Sequence, residues 1–486
     1  MEKFYWIVTT FVFLADLAIR IGLSLRVIMR KRAASVTLAW LVIILLLPFI
    51  GAIIYLLLGE NRIGQKRGEH VANNLPFFKK WASTLEERHQ VNWDNINAEC
   101  RPIDAQAHSI IGLPAVDGNE LNIIEEADTF FLALIADIDQ ARESCFLEFY
   151  IWHEGGQADE VAAALMRAAS RGVKCRVLLD SIGSDSFLKS GLAGEMRSTG
   201  VEITEAMPAG FFHALFVRID LRNHRKIALI DGETGYTGSQ NLVDPQYFKQ
   251  DENVGQWIDT MVRVRGPVVE KMTATFLFDW YVESSISLNE LQDIEEIKPI
   301  RKTGGAPVQL VPSGPGYAED GIHDLLLTTL YAARKELILT TPYFVPDNAI
   351  LAALKSAARR GVDITIIVPN KNDSKLVHYA SRARYGELTR SGVKIMTFQE
   401  GLLHSKTITV DNDFSLIGSV NLDMRSFWLN FELTLFVYNR EFTKQLRAVQ
   451  LKYMQSSLLL DHKHFDQRSF FSRLKENCAL IVGPLL

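Results

Sequence analysis

Two long apolar runs open the chain. From Phe4 to Leu25 only Asp16 and Arg20 are charged, and a spacing of four puts them on one helix face, where they can pair. From Val36 to Leu58 there is no charged residue, and at helical rise such a run covers the ~30 Å hydrocarbon layer of a bilayer. The pattern predicts two transmembrane helices, the second kinked at Pro48. No small-residue cleavage site follows the first run and a second span comes directly after it, so a retained anchor is expected rather than a signal peptide. The loop with Arg26, Arg30, Lys31 and Arg32 favours a large C-terminal part outside the cytoplasm, whereas Arg62, Lys66 and Arg67 argue for the reverse.

Gln65 to Ala98 is polar and mixed in charge, and reads as a tether. Beyond it the hydrophobic pattern repeats. CFLEFYIW from Cys145 precedes a helical stretch with RAASRGVKCRVLLD, then STGVEI, then NHRKIALIDGETGYTGSQN. The same order returns as ELILTTPYFV from Glu336, AARRGVDITIIVP, RSGVKI and LHSKTITVDNDFSLIGSVN. Helical stretches ending in Arg-Gly-Val before β-branched runs are the signature of parallel strands with crossover helices. The expected architecture is therefore α/β: two duplicated domains, each a mixed β-sheet flanked by helices, preceded by two transmembrane helices. The expected boundaries are 1–60 for the anchor, 61–105 for the tether, 106–298 for the first domain and 299–486 for the second, with Leu291 to Pro307 as connector.

Composition narrows the partners. With a net charge of -5 and both signs spread along the chain, there is no electrostatic footprint for nucleic acid. The four cysteines, Cys100, Cys145, Cys175 and Cys478, are far apart and show no metal-ligand spacing; Cys145 and Cys175 sit in apolar runs and read as buried thiols.

The repeat carries a second, chemical pattern. His-x-Lys-x-x-x-x-Asp occurs at His224, Lys226, Asp231 and again 180 residues later at His404, Lys406, Asp411; Gly238/Gly418, Ser239/Ser419 and Asn241/Asn421 keep that offset. On a strand, a histidine and a lysine two apart project from one face. A neutral imidazole is a competent nucleophile near neutral pH and a protonated one can donate to a leaving alkoxide, so two copies supply one site with both. Lys226 and Lys406, with donors from Ser239, Asn241, Ser419 and Asn421, suit the charge that gathers on phosphoryl oxygens. Asp259 and Glu432, which follow the two histidines by 35 and 28 residues in strand-like contexts, are candidates to orient the rings. Asp231 and Asp411 complete the motif but open turns, and read as turn residues. The arrangement requires no metal or other cofactor, and adjacent lysines would repel a cation.

These residues resemble the phospholipase D superfamily. With the paired N-terminal runs, FYIW, GSQNLVDPQYFKQ, VGQWID, TTPYFVPD, GLLHSKT and GSVNLDMRSFWLNFE, the chain looks like the A-type cardiolipin synthases of bacteria over nearly its whole length. That resemblance implies a phosphatidyltransferase of the bacterial inner membrane, multi-pass, converting two phosphatidylglycerol molecules into cardiolipin and glycerol. It also implies a phosphohistidine on His224, with His404 as the acid and then the base. A phospholipase D-type hydrolase or another phosphatidyltransferase would share that intermediate. Two further segments carry two readings and a third carries one: GFFHALFV within Pro208 to Asp220 suits a lipid-facing run or a buried strand, FFSRLKENCALIVGPLL at the C-terminus suits an interfacial or a core segment, and VPSGPG at Val311 reads as a turn rather than a phosphate loop.

Overall fold

The N-terminal apolar runs form three helices, α1 (Glu2–Met29), α2 (Ala34–Leu46) and α3 (Ile50–Leu58). This computed structural model describes residues 1–30, 34–47, 49–60, 85, 87–208, 218, 220–284, 297–318 and 320–481. Pro48, most of the tether, residues 291–296 of the connector and the GFFHALFV run lie outside them. Asp16 and Arg20 pair at 2.6 Å. The second run, expected as one helix, breaks between Leu46 and Ile50, and a helix that ends there leaves its last carbonyls without partners. Arg20 Nη1 donates to the Leu45 carbonyl at 2.6 Å, taking up one of them. At the far end Arg26 binds Glu60 through two bonds of 2.7 and 2.8 Å, joined by the Tyr55 hydroxyl. At 13 and 9 residues, α2 and α3 rise only about 20 and 14 Å. Among the described residues no helix is long and apolar enough to cross a membrane.

The remainder is built on one mixed sheet whose strand order shows the duplication. The first half supplies β1 (Val116–Ile124), β2 (Ser144–Phe149), β3 (Lys174–Asp180), β4 (Glu202–Ala206), β5 (Ile227–Ile230), β6 (Thr234–Gly238) and β7 (Met261–Arg265). The second supplies β8 (Ala306–Ser313), β9 (Glu336–Thr340), β10 (Asp363–Pro369), β11 (Lys394–Phe398), β12 (Thr407–Val410), β13 (Phe414–Gly418) and β14 (Asn430–Val437). The order is β4-β3-β2-β5-β6-β7-β1 in one half and β11-β10-β9-β12-β13-β14-β8 in the other, joined edge to edge by antiparallel β1 and β8. In each half three strands run parallel and the rest antiparallel. The Arg-Gly-Val turns precede β3 and β10, as expected of helix-to-strand crossovers. VPSGPG is only partly a turn: Val311 to Ser313 finish β8, and the chain turns at Gly314, whose φ is 136°.

The glycine of the repeated Gly-Ser-x-Asn has a packing reason. A Cβ on Gly238 would lie 2.3 Å from the Thr260 carbonyl oxygen, and one on Gly418 would lie 2.2 Å from that of Leu433. Only glycine lets β6 and β13 approach the strands beside them so closely. Cys145 and Cys175 are buried and face each other across β2 and β3.

Asp231 and Asp411 sit at the start of the turns after β5 and β12 with φ of 54° and 55°. Each carboxylate accepts from three successive backbone N–H groups: Asp231 from Arg142, Glu143 and Ser144, and Asp411 from Arg334, Lys335 and Glu336, at 2.7 to 3.1 Å. They tie the turn to the entrance of β2 and β9. In extended chain they stand about 20 Å from the histidine of their own motif, so neither can touch a group that the histidine touches. Their place in the motif is structural. Asp231→Ala is expected to lower unfolding free energy by about 0.5–2 kcal/mol, since three backbone donors at the entrance of β2 lose their acceptor. Turnover per folded molecule should stay within about twofold of wild type; a denaturant titration paired with an activity assay checks both, and a large loss of turnover at unchanged stability would overturn the assignment.

Candidate active site

The His-x-Lys triplets lie just ahead of β5 and β12, not within them, and their positions are fixed from the opposite half. Arg222–Asn223 pairs in parallel with Asn430–Phe431 at the start of β14, and the His224 N–H donates to the Phe431 carbonyl at 2.8 Å. Leu402–Leu403 pairs in parallel with Trp257–Ile258, and the His404 N–H donates to the Ile258 carbonyl at 2.7 Å. The next residue along each receiving segment is a carboxylate.

Each ring is therefore held by the other half's acid. His224 Nδ1 meets Glu432 Oε2 at 2.9 Å and His404 Nδ1 meets Asp259 Oδ1 at 2.7 Å. The sequence marks the two acids as candidates without pairing them to a ring; the geometry gives each ring the acid of the other half. Both Nε2 atoms are left for a ligand. A carboxylate on Nδ1 fixes the proton there in the neutral ring, which leaves Nε2 with its lone pair.

The serines act one layer behind the position expected of them. Ser419 Oγ donates to Glu432 Oε2 at 2.5 Å and accepts from the Leu433 N–H at 2.9 Å. Ser239 Oγ accepts from the Thr260 N–H at 3.0 Å and its hydroxyl stabilises the Asp259 carboxylate. Both are spent on the carboxylates. The asparagines line the cavity; Asn241 Oδ1 accepts from the Ile151 N–H at 3.2 Å, and its buried Nδ2 has no partner among the described residues, which leaves a donor for a ligand.

Charge is crowded here. Lys226 Nζ and Lys406 Nζ each donate to the carbonyl of their own motif's histidine, at 2.7 and 2.6 Å. Burial pushes the Lys226 ammonium down to about 7 and that of Lys406 to about 8, with Glu432 and Asp259 opposing the fall. Burial likewise pushes His224 to about 4, partly opposed by Glu432, and holds His404 below its ordinary value. Burial raises the Asp259 and Glu432 carboxyls, but their histidines and the lysines together hold both below the usual range. Every cation of the set is easier to deprotonate than in water. An anion in the cavity would reverse that.

Both histidines open onto one cavity of about 380 Å³, lined also by Tyr150, Trp257, Tyr343, Arg222 and Arg425. The Tyr150 ring packs 5.1 Å from that of His224, and the Trp257 ring 4.4 Å from that of His404. Tyr343 donates to Asp373 at 2.9 Å, and Lys249 pairs with that same carboxylate at 3.3 Å. None of these lining residues was singled out from the sequence, although FYIW and TTPYFV, which hold Tyr150 and Tyr343, follow equivalent strands of the repeat. Among the described residues no group of three or more His, Cys, Asp or Glu side chains is gathered as a metal site.

The chain is similar to known proteins over its whole length. The family described as "Cardiolipin synthase, PLD-like domain" matches residues 134–280 and 326–452, one stretch per half, and "Phospholipase_D-nuclease N-terminal" matches 18–60. The chain is 43% identical to cardiolipin synthase A of Cronobacter sakazakii and 42% identical to that of Serratia proteamaculans, in each case over 100% of both chains. Among solved structures, its fold is similar to phosphatidylserine synthase of Haemophilus influenzae, with a TM-score of 0.61 at 15% identity over 79% of this chain and 100% of that one.

The titrations predict a bell-shaped pH profile for phosphodiester turnover by the free protein. A nucleophilic His224 must be neutral, so kcat/KM should rise as pH passes about 4. On the alkaline side His404, the expected acid, is held below its ordinary value and Lys226 loses its charge as pH rises through about 7, so kcat/KM should fall as the two deprotonate in turn. Lys226→Arg should keep the fall that His404 sets and lose only the further fall near 7. A flat profile from pH 6 to 9 in both proteins would contradict this electrostatic account.

Proposed function

The chain belongs to the cardiolipin synthase family of the phospholipase D superfamily, and we propose on that premise that it transfers a phosphatidyl group from one phosphatidylglycerol to another, yielding cardiolipin and glycerol. The observation that carries this reading is the pair of histidines opening onto one cavity, each with its Nε2 free and its Nδ1 on a carboxylate of the other half.

In the proposed sequence His224 Nε2 attacks the phosphorus of the first lipid. The bond to the glycerol headgroup breaks, and the departing alkoxide takes a proton from His404 Nε2. The anionic phosphodiester itself favours the protonated His404 that this step needs, countering the effect of burial. Glycerol leaves. The terminal hydroxyl of a second phosphatidylglycerol then gives its proton to His404 and attacks phosphorus, and the bond to His224 breaks. One lipid phosphate has gained a new ester and one glycerol has been released. Lys226 and Lys406 hold the non-bridging oxygens through both steps, with the Asn241 amide as a further donor.

The membrane assignment extends the same reading: a multi-pass protein of the bacterial inner membrane, with catalytic halves at 106–298 and 299–486. The support lies in α1 to α3, where Asp16 pairs with Arg20 and Arg26 with Glu60 while Phe4, Trp6, Phe11, Leu25, Leu46 and Ile53 are exposed. Apolar exposure on this scale fits lipid better than water. In this arrangement α2 and α3 together make the second pass.

The test is a product analysis. Purified protein in phosphatidylglycerol vesicles with a chelator should produce cardiolipin and glycerol in equal amounts by mass spectrometry, and His224→Ala should produce neither. Phosphatidic acid without cardiolipin would make the protein a hydrolase, and full synthesis by the His224→Ala variant would overturn the phosphohistidine.

A further inference from the structure

The cavity wall is continuous with an apolar surface that the proposed reaction does not use. The helix Lys375–Arg390 begins at this wall: Ser374 and Val377 line the cavity. Against it packs the C-terminal helix Phe470–Ile481, through Ala479, which joins the cluster of Val345, Val377 and Ala380, and through the buried Glu476. That carboxylate is gripped by Arg382 at 3.2 Å and by Arg468. This seating fixes which side of the last helix faces out.

The outward side is apolar. At 100° per residue, Phe470, Ile481, Leu474 and Phe471 fall within an arc of about 100°, and they are 65%, 78%, 47% and 72% exposed. Cys478 lies in the same arc and is exposed. Lys475 flanks one edge and Arg473 the other. A helix buried on one side, apolar on the other and edged by cations has the chemistry of an element lying in the headgroup region of an anionic bilayer. On the supporting helix Leu376 and Tyr379, in the first turns beside the cavity, are exposed as well.

We propose that the outer face of Phe470–Ile481 is an interfacial membrane contact, which sets the catalytic cavity against the surface of an anionic phospholipid bilayer. The C-terminal segment thus has both of the characters read from its sequence, core on one side and interface on the other. The proposal rests on the reading of the cavity as one that takes membrane lipids.

The experiment uses the full chain in phosphatidylglycerol proteoliposomes. Cys478 is exposed while Cys100, Cys145 and Cys175 are buried, so a polarity-sensitive thiol probe labels this face alone. The expected result is blue-shifted emission, quenched by nitroxides carried on shallow positions of the lipid chains. Water-like emission would overturn the proposal, and so would a blue shift that bilayer nitroxides leave unquenched, which would mean that a second copy or another protein covers the face. A Phe470→Ser, Phe471→Ser, Leu474→Ser variant should show about a tenfold higher KM on vesicles, with turnover of monomeric short-chain phosphatidylglycerol unchanged; unchanged KM on vesicles would also overturn it. If wild type fails to turn over even the short-chain lipid, the proposed function falls, while the quenching measurement still decides the membrane contact.

Discussion

Two short parallel pairings between the halves govern this site. Arg222–Asn223 on Asn430–Phe431 and Leu402–Leu403 on Trp257–Ile258 involve only a few backbone bonds, yet they set the register that lays each histidine beside the other half's acid. Without that register His224 and His404 would be buried rings with no carboxylate, and Glu432 and Asp259 would be buried carboxylates without their imidazole partners. Either is strongly unfavourable in a dry interior. The duplication is therefore functional as a pair: one half contains a histidine, a lysine and an acid, but the acid belongs to the wrong histidine. Gly238 and Gly418 serve the same end, since they let the strands behind the acids close up and bring Ser239 and Ser419 onto the carboxylates.

The electrostatics follow from this burial. Two ammonium groups and two imidazoles share a cavity with two carboxylates, and desolvation depresses all four basic groups. In isolation such crowding is a strain on the fold. A phosphodiester relieves it, because its negative charge favours the protonated form of every depressed group. Affinity for the anion and readiness of a proton for the leaving group thus have one origin. The phosphorylated intermediate keeps a negative phosphoryl group in place while headgroups exchange, so the lysines remain charged between the two steps.

Much of this was legible in the sequence for reasons that lie in local chemistry. The offset of 180 residues exposes the duplication, and the turn propensity of Asp-Gly and Asp-Asn separates Asp231 and Asp411 from the reacting groups. What was not legible depends on registry between distant segments. Spacings of 35 and 28 residues place each acid nearest its own histidine along the chain, whereas the pairing across the halves arises from strand pairs 208 and 145 residues apart. The serines were misassigned for the same reason: a hydroxyl near a phosphate site and one behind a carboxylate look alike until the strand beneath is known. Tyr150, Tyr343 and Trp257 were visible only as apolar residues of strand-like runs. In the anchor, the Asp16–Arg20 pairing followed from helical spacing and an interruption of the second run from Pro48, whereas the bond from Arg20 to the Leu45 carbonyl links segments that the sequence does not show to be neighbours.

Transfer and hydrolysis diverge at one point, the choice of hydroxyl that attacks the phosphohistidine. Water needs no recognition, so a synthase must limit its access or outcompete it. His224 and His404 are only 7% and 2% exposed, so water reaches the reacting nitrogens through the cavity they share. A bilayer supplies the other half of the answer, because lipids confined to its surface reach effective concentrations that a dissolved alcohol does not. The donor's own product, glycerol, is soluble and diffuses away, while the acceptor is held in the same plane as the intermediate. In the proposed reaction, entry through the shared cavity and confinement of the acceptor to a lipid surface act on the same step from opposite sides, one restricting the competing nucleophile and the other concentrating the productive one.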